Sequence, residues 1–243
     1  MMSAEPLVRY VSHAIRGKIA AHSGRGIVPE TCQIPNIRAV YDEIGLPRRG
    51  HFVEIGAFDG HQFSNTSFLA DEGWTGLYIE PIPKFARLTR LRHIFNHVSV
   101  ETVAVDTQTG TKTIHAMGPL STTQPEVLKA YGSIRWAKDN AQHSTTVDIK
   151  TERLETVFTR NNVPERFDLL VIDTEGSEEQ IVRSLLESRY RPSVVIAELS
   201  DKHGDFEPYA GLRSSHQRAR TQLLEANYRP HYEDGINTLF RLG

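Results

Sequence analysis

The clearest chemical pattern in this sequence lies between residues 52 and 60, which read FVEIGAFDG. An apolar run that carries Glu54 leads into Gly56, and an acidic residue followed by a second glycine comes shortly after. Glycine adopts positive φ easily and leaves room for a ligand against the backbone, so the pattern is typical of a buried strand ending at a nucleotide-sized ligand. Many other buried strands end in glycine, so the match alone is weak. The candidate contacts are Glu54, Gly56, Ala57, Asp59 and Gly60.

A second carboxylate follows at the distance that such a site requires. Residues 76–81 read GLYIEP, and Glu80 lies 24 residues after Gly56. In a doubly wound sheet, an acidic residue about 20 positions beyond the glycine turn accepts hydrogen bonds from ribose hydroxyls. Residues 64–72 leave room for one helix between the two strands. The spacing therefore predicts that Glu80 binds a ribose.

Two more carboxylates end later strands. Residues 167–176 read FDLLVIDTEG, in which four apolar residues precede Asp173, and the apolar run 192–199 carries Glu198 near its end. Ligands bind at the carboxyl ends of strands in open α/β sheets, so Asp173 is a candidate catalytic base or metal ligand, with a structural carboxylate as the alternative. Asp173 and Glu198 could together hold Mg²⁺, which prefers oxygen ligands. Glu175 could instead cap the helix that follows it.

These sequence motifs, taken in their order along the chain, resemble those of the FkbM family of S-adenosylmethionine-dependent methyltransferases. The matching runs, between residues 52 and 199, are FVEIGAFDG, Asn65-Thr66, GW-x-GLYIEP, FDLLVIDTEG-x-E and RPSVVIAEL. The resemblance implies a class I methyltransferase fold and, usually, methyl transfer to a hydroxyl oxygen of a sugar or natural product. It implies S-adenosylmethionine as cofactor, bound by the residues named above together with Asn65, Glu80, Asp106 and Asp173.

The composition excludes several classes of protein. The chain has 243 residues, of which 39% are hydrophobic and 24% charged, so a sizeable core is expected. A net charge of −2 gives no electrostatic reason to expect a nucleic acid or an anionic membrane as partner. A single cysteine, Cys32, excludes an intrachain disulfide framework and suits a reducing compartment, so we expect a cytoplasmic protein. No apolar run is long enough to span a membrane.

The expected fold is α/β, a Rossmann-like doubly wound, mostly parallel seven-stranded sheet with an antiparallel C-terminal hairpin and additional N-terminal helices. Asp234-Gly235 between two apolar runs is a strong hairpin signal, and the family resemblance requires such a pair. Residues 1–48 form an N-terminal helical extension and residues 49–243 the methyltransferase domain in this interpretation. Residues 98–105 are predicted as one strand. A helix at 125–140 is predicted inside the segment 118–144, which is either a surface insertion or a source of substrate contacts.

The N-terminal residues 7–21 predict an amphipathic helix. Val8, Val11, Ile15 and Ile19 fall on one stripe, and residues 6–29 contain basic but no acidic side chains. A transit peptide or a membrane-surface helix would show this pattern. We favour a helix that packs on the domain or on a second subunit, which makes a homodimer an open expectation.

Methyl transfer from a sulfonium to an alcohol needs in-line positioning and removal of the hydroxyl proton by a base or with the help of a metal ion. His203, just after Glu198, is the best histidine candidate for that base, with His115 and His143 as weaker alternatives, although a lone loop histidine is more often only solvated.

A nicotinamide-dependent oxidoreductase is a competing function, but the turn at Gly56 lacks the G-x-G-x-x-G pattern that such enzymes use to bind a pyrophosphate. A catalytically silent binding module is the third hypothesis. The expected partner is a small-molecule acceptor.

Overall fold

The computed structural model describes residues 4–243. In chain order the helices are α1 (Ala4–His22), α2 (Ile37–Glu43), α3 (Ser67–Asp71), α4 (Pro83–Arg92), α5 (Pro125–Tyr131), α6 (Lys138–Gln142), α7 (Leu154–Arg160), α8 (Glu178–Glu187) and α9 (Ala210–Glu225). The strands are β1 (His51–Ile55), β2 (Thr75–Ile79), β3 (Val98–Glu101), β4 (Ala104–Asp106), β5 (Gly110–Ala116), β6 (Thr145–Arg153), β7 (Arg166–Ile172), β8 (Arg191–Glu198), β9 (Tyr228–Glu233) and β10 (Asn237–Leu242).

Seven strands form the central sheet in the order β3-β2-β1-β7-β8-β10-β9. The first five are parallel, whereas β10 runs antiparallel to both β8 and β9. Apolar clusters cover both faces of this sheet, which is why its middle strands read as continuous apolar runs. The expected fold class, including the antiparallel C-terminal pair, is confirmed.

The prediction of one strand at 98–105 is wrong. Strand β3 ends at Glu101, and β4 leaves the main sheet to pair with β6 in a second sheet of order β4-β6-β5. The sequence carries the reason, because Val98 and Val100 are two residues apart, whereas Val103 and Val105 repeat in the opposite phase. Val98 and Val100 pack on one face of the main sheet, and Val103 and Val105 pack in the cluster on the other.

Helix α1 confirms the predicted N-terminal helix, but its apolar stripe does not pack on the domain. Val8, Ile15 and Ile19 are 69%, 45% and 63% exposed, whereas Tyr10 and Ala14 on another face are buried. Helix α1 packs on α3 and α4 through that second face. A Cβ on Gly17 would lie 2.1 Å from the Asp71 carboxylate, so glycine is what allows this close approach. Two predictions stay untested: that a second subunit covers the apolar stripe, and that the boundary between the N-terminal extension and the methyltransferase domain lies at residue 48.

The helix predicted at 125–140 is two shorter helices, α5 and α6, separated by a turn that begins at Gly132. Their apolar residues form a cluster of their own with Met117, Phe206 and Leu212, beside the C-terminal edge of the main sheet. The segment 118–144 is therefore packed rather than a loose surface insertion. Within residues 4–243, no helix combines the length and apolarity needed to cross a membrane.

Candidate active site

Strand register brings the glycine turn and the carboxylates to one edge of the sheet. Ile55 at the end of β1 pairs with Ile79 of β2 on one side and with Ile172 of β7 on the other. Ile172 in turn pairs with Ala197, so the residues that follow them, Asp173 and Glu198, are neighbours. Gly56 and Glu80 follow the other two strand ends in the same way.

Two adjoining cavities open at this edge. The inner cavity, of about 70 Å³, is lined by Glu80, Val105, Asp106 and Ile181 among others. The outer cavity, of about 370 Å³, is lined by Glu54, Ala57, Trp136, Glu198 and Asn237 among others. Five residues line both cavities: Gly56, Phe58, Pro119, Asp173 and Glu175. A ligand can therefore lie across both, passing the end of β7.

Glu80 is held at the inner cavity by two backbone hydrogen bonds. Its Oε2 accepts from the Phe58 N–H at 2.9 Å and its Oε1 from the Ile82 N–H at 2.8 Å. Burial raises the pKa of this carboxyl to about 8, although both hydrogen bonds act in the opposite direction. A carboxylate oxygen has a further lone pair, so Glu80 can still accept hydrogen bonds from a ligand.

Gly56 has φ of +90°, and a Cβ there would lie 1.6 Å from the carbonyl oxygen of Asp173. The glycine is needed because the backbone after β7 passes this close. The sequence pattern predicts that this glycine leaves the space that a ligand needs, whereas in the structure the neighbouring backbone needs that space. Gly56 nevertheless lines both cavities. Glu54 also meets the outer cavity, and its Oε2 accepts hydrogen bonds from the hydroxyls of Ser64 and Thr66.

Three carboxylates meet where the cavities join. Asp173, Glu175 and Glu198 each offer an oxygen, and these oxygens lie within 4.8 Å of one another. Burial raises the pKa of each above its ordinary value, and repulsion from Asp173 adds to the rise for Glu175 and Glu198. The Tyr131 hydroxyl donates to Glu175, and the Gln33 amide donates to Asp173 at 2.7 Å. The cluster can accept a proton or a cation.

An amide faces the same cavity without a hydrogen-bond partner. Asn237 pairs with Glu198 across β10 and β8, is only 3% exposed and lines the outer cavity. Its Oδ1 has no hydrogen-bond partner among the described residues. A buried carbonyl oxygen left unpaired costs free energy, so this atom is suited to a ligand.

The scan against family models decides the family of this chain. The model of the methyltransferase FkbM domain matches residues 54–230. The chain belongs to the FkbM methyltransferase family. This confirms the resemblance seen in the sequence, and with it a methyltransferase of S-adenosylmethionine-binding fold in place of a nicotinamide-dependent oxidoreductase.

Solved structures resemble this FkbM methyltransferase in fold. An O-methyltransferase from Bacillus cereus in complex with SAH has a TM-score of 0.51 and 14% identity, over 96% of this chain and 89% of that one. An O-methyltransferase, itself only provisionally assigned, from Klebsiella pneumoniae has a TM-score of 0.49 and 13% identity, over 100% and 92%. An SAH-bound Podospora anserina methyltransferase, PaMTH1, has a TM-score of 0.48 and 11% identity, over 95% and 88%. No curated protein sequence matches the chain.

Several predicted cofactor contacts lie behind the cavities of this FkbM methyltransferase. Asp59 is fully buried and accepts hydrogen bonds from the Tyr10 hydroxyl and from the backbone N–H groups of His61 and Gln62. Asn65 lines neither cavity and donates to Gln33 at 3.1 Å. Gly60 packs on α4, since a Cβ there would lie 2.6 Å from a Thr89 methyl group. In this arrangement Asp59 and Gly60 support the glycine turn, whereas Asn65 holds the side chain of Gln33.

Two other predicted roles need correction, and one residue keeps its place. His203 lines neither cavity, and its Nδ1 accepts a hydrogen bond from the Asp205 N–H at 3.3 Å, so the structure does not bring this candidate base to the site. The helix cap considered for Glu175 is not formed, because its side chain accepts from the Tyr131 hydroxyl; Glu178 instead holds the loop before α8 by accepting from the N–H groups of Thr174 and Gly176. Asp106 lines the inner cavity, where it pairs with Lys112.

The carboxyl groups of the cavities make stability fall with rising pH. Burial raises the pKa of Glu54 to about 7 and that of Glu80 to about 8, from 4.5 in the unfolded chain. Folding therefore favours the protonated acids, and their contribution is lost as pH rises through these values. Half-buried His61, whose pKa is lowered to about 3 by partial burial and by nearby Arg92, stays neutral in the folded protein, so it makes stability fall only as pH falls below about 6.5.

We expect the free energy of unfolding of the ligand-free protein, measured by urea titration, to fall between about pH 6.5 and pH 8. Glu80→Gln should reduce that fall, because the amide does not titrate. A free energy that is flat or rises over this range in the wild type would contradict the burial of these groups.

Proposed function

We propose that this FkbM methyltransferase transfers a methyl group from S-adenosylmethionine to a hydroxyl oxygen of a sugar or natural product. The observation that supports this best is the position of Asp173, which lines both cavities at the point where they join. A carboxylate there can touch a hydroxyl in the outer cavity while the cofactor occupies the inner one.

The residues of the inner cavity fit the cofactor. Glu80 offers carboxylate lone pairs to ribose hydroxyls, and Val103 and Val105 line the cavity with apolar surface for a purine. Glu54, Asp173 and Glu175 place carboxyl groups on the side where the sulfonium and ammonium groups would lie, and those cations would favour the ionised form of the carboxyls. Bound there, the cofactor would supply a methyl group activated by the positive sulfur.

Asp173 is the proposed base. Burial raises the pKa of both neighbouring carboxyls, and that of Glu198 is further raised by repulsion from Asp173, so we propose that Glu198 holds a proton and that Asp173 is the acceptor. As the acceptor oxygen forms its bond to the methyl carbon and the sulfur–carbon bond breaks, the hydroxyl proton passes to Asp173. Burial raises the pKa of Asp173 towards neutral pH, and a carboxylate with a higher pKa is a more effective base.

The experiment is methyl transfer from S-adenosylmethionine labelled with ¹³C in its methyl group to a panel of sugars and polyols. We expect a new ¹³C signal in the range of methyl ethers together with release of S-adenosylhomocysteine. Label found only on nitrogen or carbon of the acceptors that turn over would contradict transfer to oxygen.

We also propose that a divalent cation such as Mg²⁺ binds at the cluster. The predicted ligands Asp173 and Glu198 are joined by Glu175 and by the unpaired Oδ1 of Asn237, all oxygen donors of the kind that hard cations prefer. The cation would offset the charge of three crowded carboxylates and lower the pKa of a hydroxyl bound to it.

Calorimetric titration with Mg²⁺ or Mn²⁺ tests this proposal. We expect one site in the wild type, no binding in Asp173→Asn, and binding weakened at least about tenfold in Asn237→Leu. Asp168→Asn changes the same residue type at the other end of β7 and should bind like the wild type. Absence of cation binding in a folded wild-type protein would refute the site.

A further inference from the structure

A third cavity, which we call the basic pocket, lies between α1 and the domain. It has a volume of about 440 Å³, and basic side chains from α1, α4 and the glycine turn line it: Arg9, His13, Arg16, His61 and Arg92. Glu30 is the one carboxylate among its described lining residues, and it is exposed. The proposed roles of the inner and outer cavities assign no function to this pocket.

The inner wall of the basic pocket is fixed. Arg92 is 1% exposed, and its terminal nitrogens donate to both oxygens of Asp71, at 3.0 and 2.6 Å. Its Nε donates to His61 Nδ1 at 3.3 Å, so the proton of neutral His61 is on Nε2. That proton is donated to His13 Nδ1 at 2.6 Å. His13 is thereby left with an Nε2–H group that can donate to a ligand.

The outer wall carries two arginines. Arg9 lies over the Tyr10 ring, with 5.2 Å between the guanidinium carbon and the ring centroid. Neither Arg9 nor Arg16 has a carboxylate within 4.0 Å in the part of the chain whose side chains the structure describes. Residues 6–29, from which this wall is built, contain no acidic side chain. The two guanidinium groups therefore line the pocket with positive charge that no described carboxylate balances.

The basic pocket adjoins the outer cavity. Gln62 lines both of them, and its amide donates to Asp59 at 2.5 Å, so the side chain between the two spaces is held in place. Asp59 is held from the other side by the Tyr10 hydroxyl of α1. Gln62 is thus part of the wall of both spaces, and a ligand that reached from Asp173 to the arginines would cross at this side chain.

We propose that the basic pocket binds a phosphate group carried by the methyl acceptor, which makes the acceptor a hydroxylated phosphoester such as a sugar phosphate. Arginine presents a planar fork of N–H donors that matches phosphate oxygens, and two arginines balance a dianion. The volume exceeds that of a single phosphate, so a diphosphate also fits. This inference rests on the proposed methyl transfer to a hydroxyl.

The probes for the test are glucose 6-phosphate, inorganic pyrophosphate and unphosphorylated glucose, each titrated calorimetrically into the S-adenosylmethionine-loaded protein. We expect both phosphates to bind at one site and to displace each other, and glucose to bind at least about tenfold more weakly. The double variant Arg9→Gln/Arg16→Gln should lose at least about tenfold in affinity for each phosphate. Arg25→Gln, from the same basic segment but outside the pocket, should behave as the wild type.

Several outcomes would overturn the proposal. Phosphate affinity that is unchanged in the double variant, or absent from a wild type that binds S-adenosylmethionine, would show that the pocket holds no phosphate. Pyrophosphate that glucose 6-phosphate does not displace would identify a site for free anions only. S-adenosylmethionine affinity should be equal in wild type and double variant, so failure of the methyltransferase function itself is seen separately, as loss of cofactor binding in the wild type.

Discussion

Replacement of Asp173 by asparagine should lower kcat by about a hundredfold or more, while the affinity for S-adenosylmethionine changes only a fewfold. The amide keeps the size of the side chain and its position at the join of the two cavities. It cannot accept the hydroxyl proton, and it removes one charge from the site where a cation would bind. Steady-state kinetics of the ¹³C-methyl transfer, together with calorimetry of the cofactor, separate the two effects.

Asp168→Asn is the matched control for this prediction. Asp168 lies on the same strand at the opposite edge of the sheet, where its Oδ2 accepts a hydrogen bond from the His51 N–H at 2.8 Å. This variant should keep wild-type kcat even if it is less stable. An Asp173→Asn enzyme that turns over at the wild-type rate would refute the assignment of the base.

Replacement of Glu80 by alanine should weaken S-adenosylmethionine binding by about a hundredfold or more. Above about pH 8, where the Glu80 carboxyl is ionised, a hydrogen bond to this charged acceptor contributes about 1.5–3 kcal/mol, and the carboxylate would accept one from each ribose hydroxyl. The loss also leaves the N–H groups of Phe58 and Ile82 without their acceptor, and Phe58 lines both cavities. Calorimetric titration of wild type and variant measures the change directly.

Glu80→Gln distinguishes the ribose contact from a general collapse of the pocket. The glutamine keeps the volume and one acceptor oxygen, so its cofactor affinity should lie between those of wild type and Glu80→Ala. NAD is the control ligand and should bind neither wild type nor variants. Wild-type affinity in Glu80→Ala would exclude Glu80 from the cofactor site.

The parts of this protein that follow from strand ends could be predicted from the sequence. The glycine turn, Glu80, Asp173 and Glu198 each come at the end of a largely apolar strand, and parallel strands bring such ends to one edge of a sheet. The hairpin was equally visible, because Asp234-Gly235 is a local turn signal.

Other residues of the site had no such local signal. Gln33 comes from a loop before the first strand, and Tyr131 from a short helix in the segment 118–144; only tertiary packing brings them to Asp173 and Glu175. Asn237 could have been predicted once β10 was paired with β8, because the residue opposite Glu198 in an antiparallel pair lies at the same edge of the sheet. His203 lies outside both cavities because nearness in sequence to Glu198 does not by itself place a loop side chain there.

The most direct test of the proposed cofactor site is a crystal structure of the protein with S-adenosylhomocysteine. We expect the ribose hydroxyls within hydrogen-bond distance of the Glu80 carboxylate, the adenine beside Val105, and the sulfur where the cavities join at Asp173. Adenosine bound in the outer cavity or in the basic pocket, with Glu80 free of the ribose, would contradict it.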